Sequence, residues 1–163
     1  MVLTVGGVSV GDKDLVKPAI ESLGGEMQMW RVRMKPGKPV ALARVNNTPI
    51  VGLPGNPVSA YTVFTLMVSP LIRNMQGRSN VLPRILQGRL NSEQSYRGDR
   101  DEFLRVQAGD ANNGVIQITP HALQGSNILS SLAWASGLAR VPADSTCSDG
   151  ANVAYYDFDI WGY

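Results

Sequence analysis

Three short loops hold the residue types from which an anion-binding site can be built. The first, Gly6-Gly7-Val8-Ser9-Val10-Gly11-Asp12-Lys13-Asp14, follows the apolar run Val2 to Val5 and precedes a segment of helical period. Glycines let a backbone approach a ligand closely, and free N–H groups at a helix N-terminus favour an anion. Asp12 and Asp14 offer the hard oxygen ligands that Mg2+ shares with a phosphate, and either could equally cap the helix. The second loop, Lys35-Pro36-Gly37-Lys38-Pro39, comes just after Arg31 and Arg33, so four cations fall within eight positions. Such groups around a stiff Pro-Gly turn can collect phosphates or a tetrahedral oxyanion, although a lone cluster of this kind reads as solvated basic surface. Lys35 is expected to be exposed. The third loop, Gly52-Leu53-Pro54-Gly55-Asn56-Pro57-Val58-Ser59-Ala60, sets Pro54 and Pro57 ahead of a helix, either to aim amides at a ligand or to make a rigid turn. Following successive strands of one sheet, the three loops could converge on a single anionic, metal-assisted site.

Other chemistries compete for the same residues. Gly7-Val8-Ser9-Val10-Gly11 matches the nucleophile elbow of a serine hydrolase. A triad would continue through Asp99 or Asp101 to His121, the only histidine. His121, however, follows Thr119-Pro120 in a stretch of β character, and a hydrolase leaves the second and third loops without a role. A non-catalytic binding module is the third class.

The elements that must position these loops follow from periodicity. Val2–Val5 reads as a buried strand, residues 14–23 as a helix closed by Gly24-Gly25, and the alternation over residues 27–34 as a strand. Residues 40–45 and 50–51 read as strands joined at Asn46-Asn47. Asn56 suits an N-cap and Pro57 a first turn, and Val58, Tyr61, Phe64, Met67, Leu71 and Met75 make an apolar stripe down to Gly77. Pro70 should kink that helix. From about residue 79 short segments (84–90, 102–108, 115–119, 138–141 and 153–156) alternate with turn clusters, and residues 128–135 could form one short helix. The expected architecture is an α/β domain over residues 1–78, then a small all-β, barrel-like domain over 79–163. The first domain looks truncated, lacking strands and helices upstream. Trp30, Trp134 and Trp161 read as core residues, and Met27, Met29 and Met34 as packing residues.

Charge supports the division. Residues 1–78 hold nine Lys/Arg against four acids, and residues 79–163 hold six arginines against nine acids, so an overall +2 conceals opposite halves. That total is too small to point to nucleic acid. No apolar run is long enough to span a membrane, and a single cysteine, Cys147, fits a cytoplasmic setting and excludes an intrachain disulfide.

The motifs GGVSVGDKD (6–14), MKPGKP (34–39), GLPGNPVSA (52–60), DEFLR (101–105) and QGSNILSSL (124–132) occur in this order. In that order they resemble the molybdopterin molybdenumtransferase family, which includes the E domain of gephyrin. The resemblance implies a three-layer α/β/α molybdopterin-binding domain followed by a β-barrel. It also implies binding of adenylylated molybdopterin and molybdate, use of Mg2+, release of AMP, and molybdenum left on the dithiolene sulfurs. By the same resemblance, Asp14 handles metal or nucleotide phosphate, with Asp12 as a further metal candidate. Arg31 and Lys35 match the oxyanion positions, Arg31 standing where lysine is also found. Gly6, Gly7 and Ser9 match the pterin-phosphate loop, and Pro54 and Pro57 the rigid loop. Lys38, Gly55 and Asn56 join these as binding candidates from the loops themselves. Arg105 and Ser126 match second-domain positions that could complete the pocket. Members of the family have an upstream half of the α/β domain and further domains, and they work as elongated homodimers. This chain therefore resembles a two-domain piece of one. A family of smaller pterin adenylyltransferases shares the α/β domain but lacks the barrel.

Overall fold

The computed structural model describes residues 1–7, 15–112 and 114–159. Ser9, Asp12, Asp14 and Trp161 lie outside the described residues. The chain folds as a mixed α/β layer joined to a closed β-barrel.

The first layer is a four-stranded sheet in the order β1 (Val2–Val5), β5 (Thr48–Leu53), β4 (Pro39–Val45), β2 (Glu26–Arg31). β1 runs parallel to β5, and the hairpin β4–β5 turns at Asn46-Asn47, with Asn46 in the left-handed region at φ 51°. Alternation along β4 sends side chains to opposite faces. On one face Ala41 and Ala43 are buried on the side of helix α1 (Val16–Ser22), where Ile20 meets Val45 beside Gly25. On the other, Val40 and Leu42 with Val51 and Leu53 of β5 pack under the long helical segment.

That segment starts at α2 (Pro57–Val63), runs through a π-helical stretch Phe64–Val68, and continues as α3 (Ser69–Met75). Asn56 caps it, its Oδ1 accepting from the amides of Val58 at 3.2 Å and Ser59 at 3.5 Å, and Pro57 occupies the first turn. Pro70 supplies no N–H and crowds the preceding turn, and the wider π register just before it accommodates both. The buried face is offset from the expected apolar stripe already within α2. Val58, Ser59, Thr62, Val63, Thr65 and Val68 are buried, whereas Tyr61, Phe64 and Met75 of the expected stripe are exposed.

β1 departs from expectation as well. Val5 is 68% exposed and Val2 and Leu3 are also largely exposed, because β1 is the sheet edge and pairs only with β5 among the described residues. A strand acquires burial from its neighbours as well as from its own composition.

The barrel closes through β6 (Leu86–Leu90), β9 (Val115–Pro120), β8 (Asp101–Asn112), β10 (Gly137–Val141) and β12 (Asn152–Asp157), with β10 pairing both β8 and β12. Closure removes the strand edges. Leu90, Leu104, Val106, Ile118, Ala139, Val153 and Tyr155 fill its interior, while Phe103, Leu138 and Tyr156 point outward into the cluster containing Met34, Val40, Val63 and Val68. The two layers therefore share one apolar seam. β3 (Met34–Lys35) crosses that seam to pair parallel with the start of β8, and β7 (Tyr96–Arg97) and β11 (Thr146–Cys147) form a small flap. The short helix α4 (Ser130–Trp134) falls where the sequence placed it. Trp134 is half-exposed against the His121 ring at 5.0 Å, so it is not a core residue.

Candidate anion-binding site

The Lys-Pro-Gly-Lys-Pro loop is positioned from both layers at once. Its start, β3, is held to β8 with Lys35 opposite Glu102. Its turn needs Gly37, which sits at φ 111°, and a Cβ there would meet Val63 Cγ2 of α2 at 2.6 Å. Only glycine brings the loop this close to the helix. The Lys35-Pro36 peptide is cis, and Val32 N–H donates to the Lys38 carbonyl at 3.1 Å. The loop thereby forms one wall of a cleft of about 490 Å3, with Ser59 of α2, Arg100, and the barrel segment Gln124-Gly125-Ser126 around it.

The barrel wall is anchored by Arg105. This guanidinium is buried and donates through Nε to Ser131 Oγ at 3.0 Å and through Nη2 to the carbonyls of Gly125 at 3.0 Å and Leu123 at 3.4 Å. Gln124 clasps the Arg105 backbone in return, its Oε1 accepting from the Arg105 amide and its Nε2 donating to the Arg105 carbonyl, each at 2.9 Å. Burial lowers the Arg105 pKa and the nearby Glu102 carboxylate raises it. Arg105 thus acts behind the cleft, setting the position of Gln124 to Ser126.

Glu102 is the second anchor. It is buried, and its carboxylate lies 2.8 Å from Lys35 Nζ. Lys35 is half-exposed as expected, yet its charge is already partnered. Arg33 is likewise engaged, donating to the Asp99 carbonyl and pairing with Asp144 at 3.0 Å. Arg100 contacts the Asp99 carboxylate at 3.4 Å, and its side chain is about one-third exposed. Lys38 and Arg31 are exposed, with no hydrogen bond or ion pair among the described residues. Of these two, Lys38 lines the cleft. The basic cluster of the sequence therefore resolves into cations that fix the seam and cations that face solvent.

The structure brings Lys35, Lys38 and Ser126 to one cleft and leaves Arg31 outside its lining. Gly6 and Gly55 form a second junction. An added Cβ on Gly55 would lie 3.4 Å from Gly6 Cα, and the Gly6 amide donates to the Leu53 carbonyl at 2.9 Å. The first and third loops thus meet backbone to backbone. Gly7 is required by packing, since a Cβ there would meet Val16 Cγ2 at 2.8 Å. Pro54 is buried and Pro57 exposed beside the capped helix end, and Asn56 spends its side-chain oxygen on the cap. Ser59, two residues past Pro57, links this junction to the cleft. Sequence reasoning did not single out Arg100, Glu102 or Gln124. The signals available were the charged turn Asp99-Arg100-Asp101 for Arg100 and the motifs at 101–105 and 124–132, which contain Glu102 and Gln124.

Ser9 lies outside the described residues, and among the described ones His121 does not pair with Asp99 or Asp101. His121 Nδ1 is occupied by the Leu123 amide at 3.0 Å. Asp101 accepts from Arg140 and the Ala143 amide, each at 2.9 Å, and Asp99 contacts Arg100.

Comparison with known proteins follows the same two layers. Residues 1–74 match the family described as "Probable molybdopterin binding domain", and residues 87–158 match "MoeA C-terminal region (domain IV)". The chain belongs to the MoeA, or molybdopterin molybdenumtransferase, family. A molybdopterin molybdenumtransferase of Haemophilus influenzae is 46% identical over 78 residues, covering 48% of this chain and 19% of that protein. The molybdenum cofactor synthesis protein cinnamon of Drosophila melanogaster is 37% identical over 144 residues, covering 87% of this chain and 24% of its own length. A solved structure, the molybdopterin biosynthesis moea protein from Pyrococcus horikosii, superposes with a TM-score of 0.75 at 30% identity, covering 97% of this chain and 37% of that one. The chain thus spans about a fifth to a third of such MoeA-family relatives. Among the described residues no helix is long and apolar enough to cross a membrane.

Proposed function

We propose that this chain forms part of the site at which a molybdopterin molybdenumtransferase inserts molybdate into adenylylated molybdopterin, with Mg2+ and release of AMP. The observation that carries this reading is the cleft at the seam, where Lys35, Lys38 and Arg100 gather beside Ser59 and Ser126. Inserting an oxyanion next to a phosphorylated pterin brings two anions together. At about 4 Å, two unit charges repel by roughly 4 kcal/mol at an effective dielectric near 20. Lys38 offsets that repulsion directly, and Lys35 and Arg100 do so in part, since Glu102 already holds the first and Asp99 contacts the second. Hydroxyls and amides of the two walls then orient the oxygens. No protein nucleophile is required, which suits a site without an available histidine or cysteine among the described residues.

Mg2+ keeps several waters and shares phosphate oxygens, so it needs only one or two protein carboxylates. Among the described residues no group of three metal-ligating side chains exists. Glu102, the carboxylate bound to Lys35, is committed to that pair. In this reading Asp12 and Asp14 of the first loop, Asp14 as the resemblance implies, would hold the ion, and its contribution is charge neutralisation at the phosphate. In this reading residues 1–78 are the C-terminal half of the molybdopterin-binding domain and residues 79–163 the barrel domain. The exposed apolar edge at β1 suits pairing with a further strand of that domain. A homodimer, as the resemblance implies, and a cytoplasmic setting, which the single cysteine fits, complete the proposal.

Calorimetry with adenylylated molybdopterin and with molybdate, with and without Mg2+, tests it. The expected result is binding of both, the pterin more tightly with Mg2+. Binding of neither contradicts the reading, and Mg2+-independent pterin binding removes the metal from it.

A further inference from the structure

A second concavity, of about 650 Å3, shares no lining residue with the seam cleft. It lies where α3 ends and the chain crosses toward the barrel, and its lining includes Arg73, Arg78, Arg84, Ser79, Asn80 and Leu82. No acidic residue lines it. None of the three guanidiniums makes a hydrogen bond or ion pair among the described residues. Three cations held together without a counter-charge repel one another, and an anion bound among them relieves that repulsion. Helix geometry fixes two of the three. Gly77, at φ 73°, ends α3, and the Arg78 amide returns to the Arg73 carbonyl at 3.1 Å. The amides of Ser79 and Asn80 make no backbone hydrogen bond among the described residues, so they too can serve as donors.

We propose that this arginine cleft binds a di- or triphosphate group, either free or carried on a nucleotide. The donor set consists of arginines, whose planar forks match phosphate oxygens two at a time, whereas the seam cleft combines Lys35 and Lys38 with Arg100. The volume falls within the roughly 300–1,000 Å3 of small-molecule sites. Leu82, 73% exposed at the rim, offers an apolar surface to a base. A nucleic acid strand fits less well. The net charge is only +2, and the acids outnumber the basic residues from residue 79 onward.

The test is amide NMR of the full chain titrated with inorganic pyrophosphate, then with ADP, and finally with hexaglutamate. Saturable shifts at Arg78, Ser79 and Asn80 are expected, with affinity reduced at least about tenfold in the Arg78→Ala/Arg84→Ala double variant. Both residues are exposed, so the variant should keep the native spectrum elsewhere, and Arg78→Lys/Arg84→Lys should recover part of the affinity. Tighter ADP than pyrophosphate would assign the phosphate to a nucleotide through Leu82, and equal affinity would assign a free polyphosphate. No shift with either phosphate overturns the proposal. Undiminished binding in the double variant, or shifts with hexaglutamate alone, does the same.

Discussion

The barrel and the open sheet meet their apolar residues in opposite ways. The barrel pairs every principal strand on both sides and leaves Leu104, Val106, Ile118 and Ala139 with no exposure at all. The sheet buries one face against α2, the π stretch and α3, yet ends on β1 with Val5 68% exposed. The difference teaches where the site draws its rigidity. Its barrel wall rests on a closed unit through Arg105, and its loop wall is clamped by Gly37 against Val63 and by Lys35 against Glu102. The sheet edge contributes no lining to the cleft.

The sharpest way to break this comparison is in the barrel interior. Leu104→Ala should cost roughly 3–4 kcal/mol in urea unfolding, the range for a fully buried leucine that leaves a cavity. A cost near zero would mean that the barrel is not closely packed. Arg105→Ala comes next, at roughly 2–3 kcal/mol, because it strands the carbonyls of Leu123 and Gly125 and the Ser131 hydroxyl. It should also weaken anion binding, and unchanged binding would show that the segment 124–126 holds its place without it. Lys35→Ala should cost roughly 1–2 kcal/mol, since it leaves the Glu102 carboxylate buried and unpaired while Lys35 itself is half-exposed. Lys35→Ala/Glu102→Gln should recover part of that loss, and a worse double variant would refute the pairing. Val5→Ala should change stability by less than about 0.5 kcal/mol. A loss as large as that of Leu104→Ala would mean that β1 is covered in solution.

Much of this architecture was legible in the sequence because local pattern decides it. The Asn56-Pro57 helix start and the Asn46-Asn47 turn are set by neighbours a few residues away. The helix face was legible only in part: Val58, Thr62 and Thr65 are buried at i, i+4 and i+7, but the two threonines carry no apolar signal, so Tyr61 and Phe64 read as the core positions in sequence. The site was legible in part. Lys38 and Ser126 carry motif signals, whereas Arg33 is engaged by Asp144, 111 residues away, and Arg105 is tied to Gly125 across 20. Long-range pairings of this kind decide which cations remain available, and no spacing rule reveals them.

The central claim is that the seam cleft, rather than basic surface in general, binds the anion. Calorimetric titration of molybdate into the unaltered chain, Lys38→Ala and Arg44→Ala tests it most directly. Among the described residues, Lys38 lines the cleft without a partner, while Arg44 is an exposed cation on β4 that does not line it and bonds only its own turn at Asn46 and Asn47. The account predicts an affinity loss of about tenfold for Lys38→Ala, about 1.4 kcal/mol, and none for Arg44→Ala, with both variants as stable as the parent. Equal losses in the two variants, or no loss in either, would contradict it.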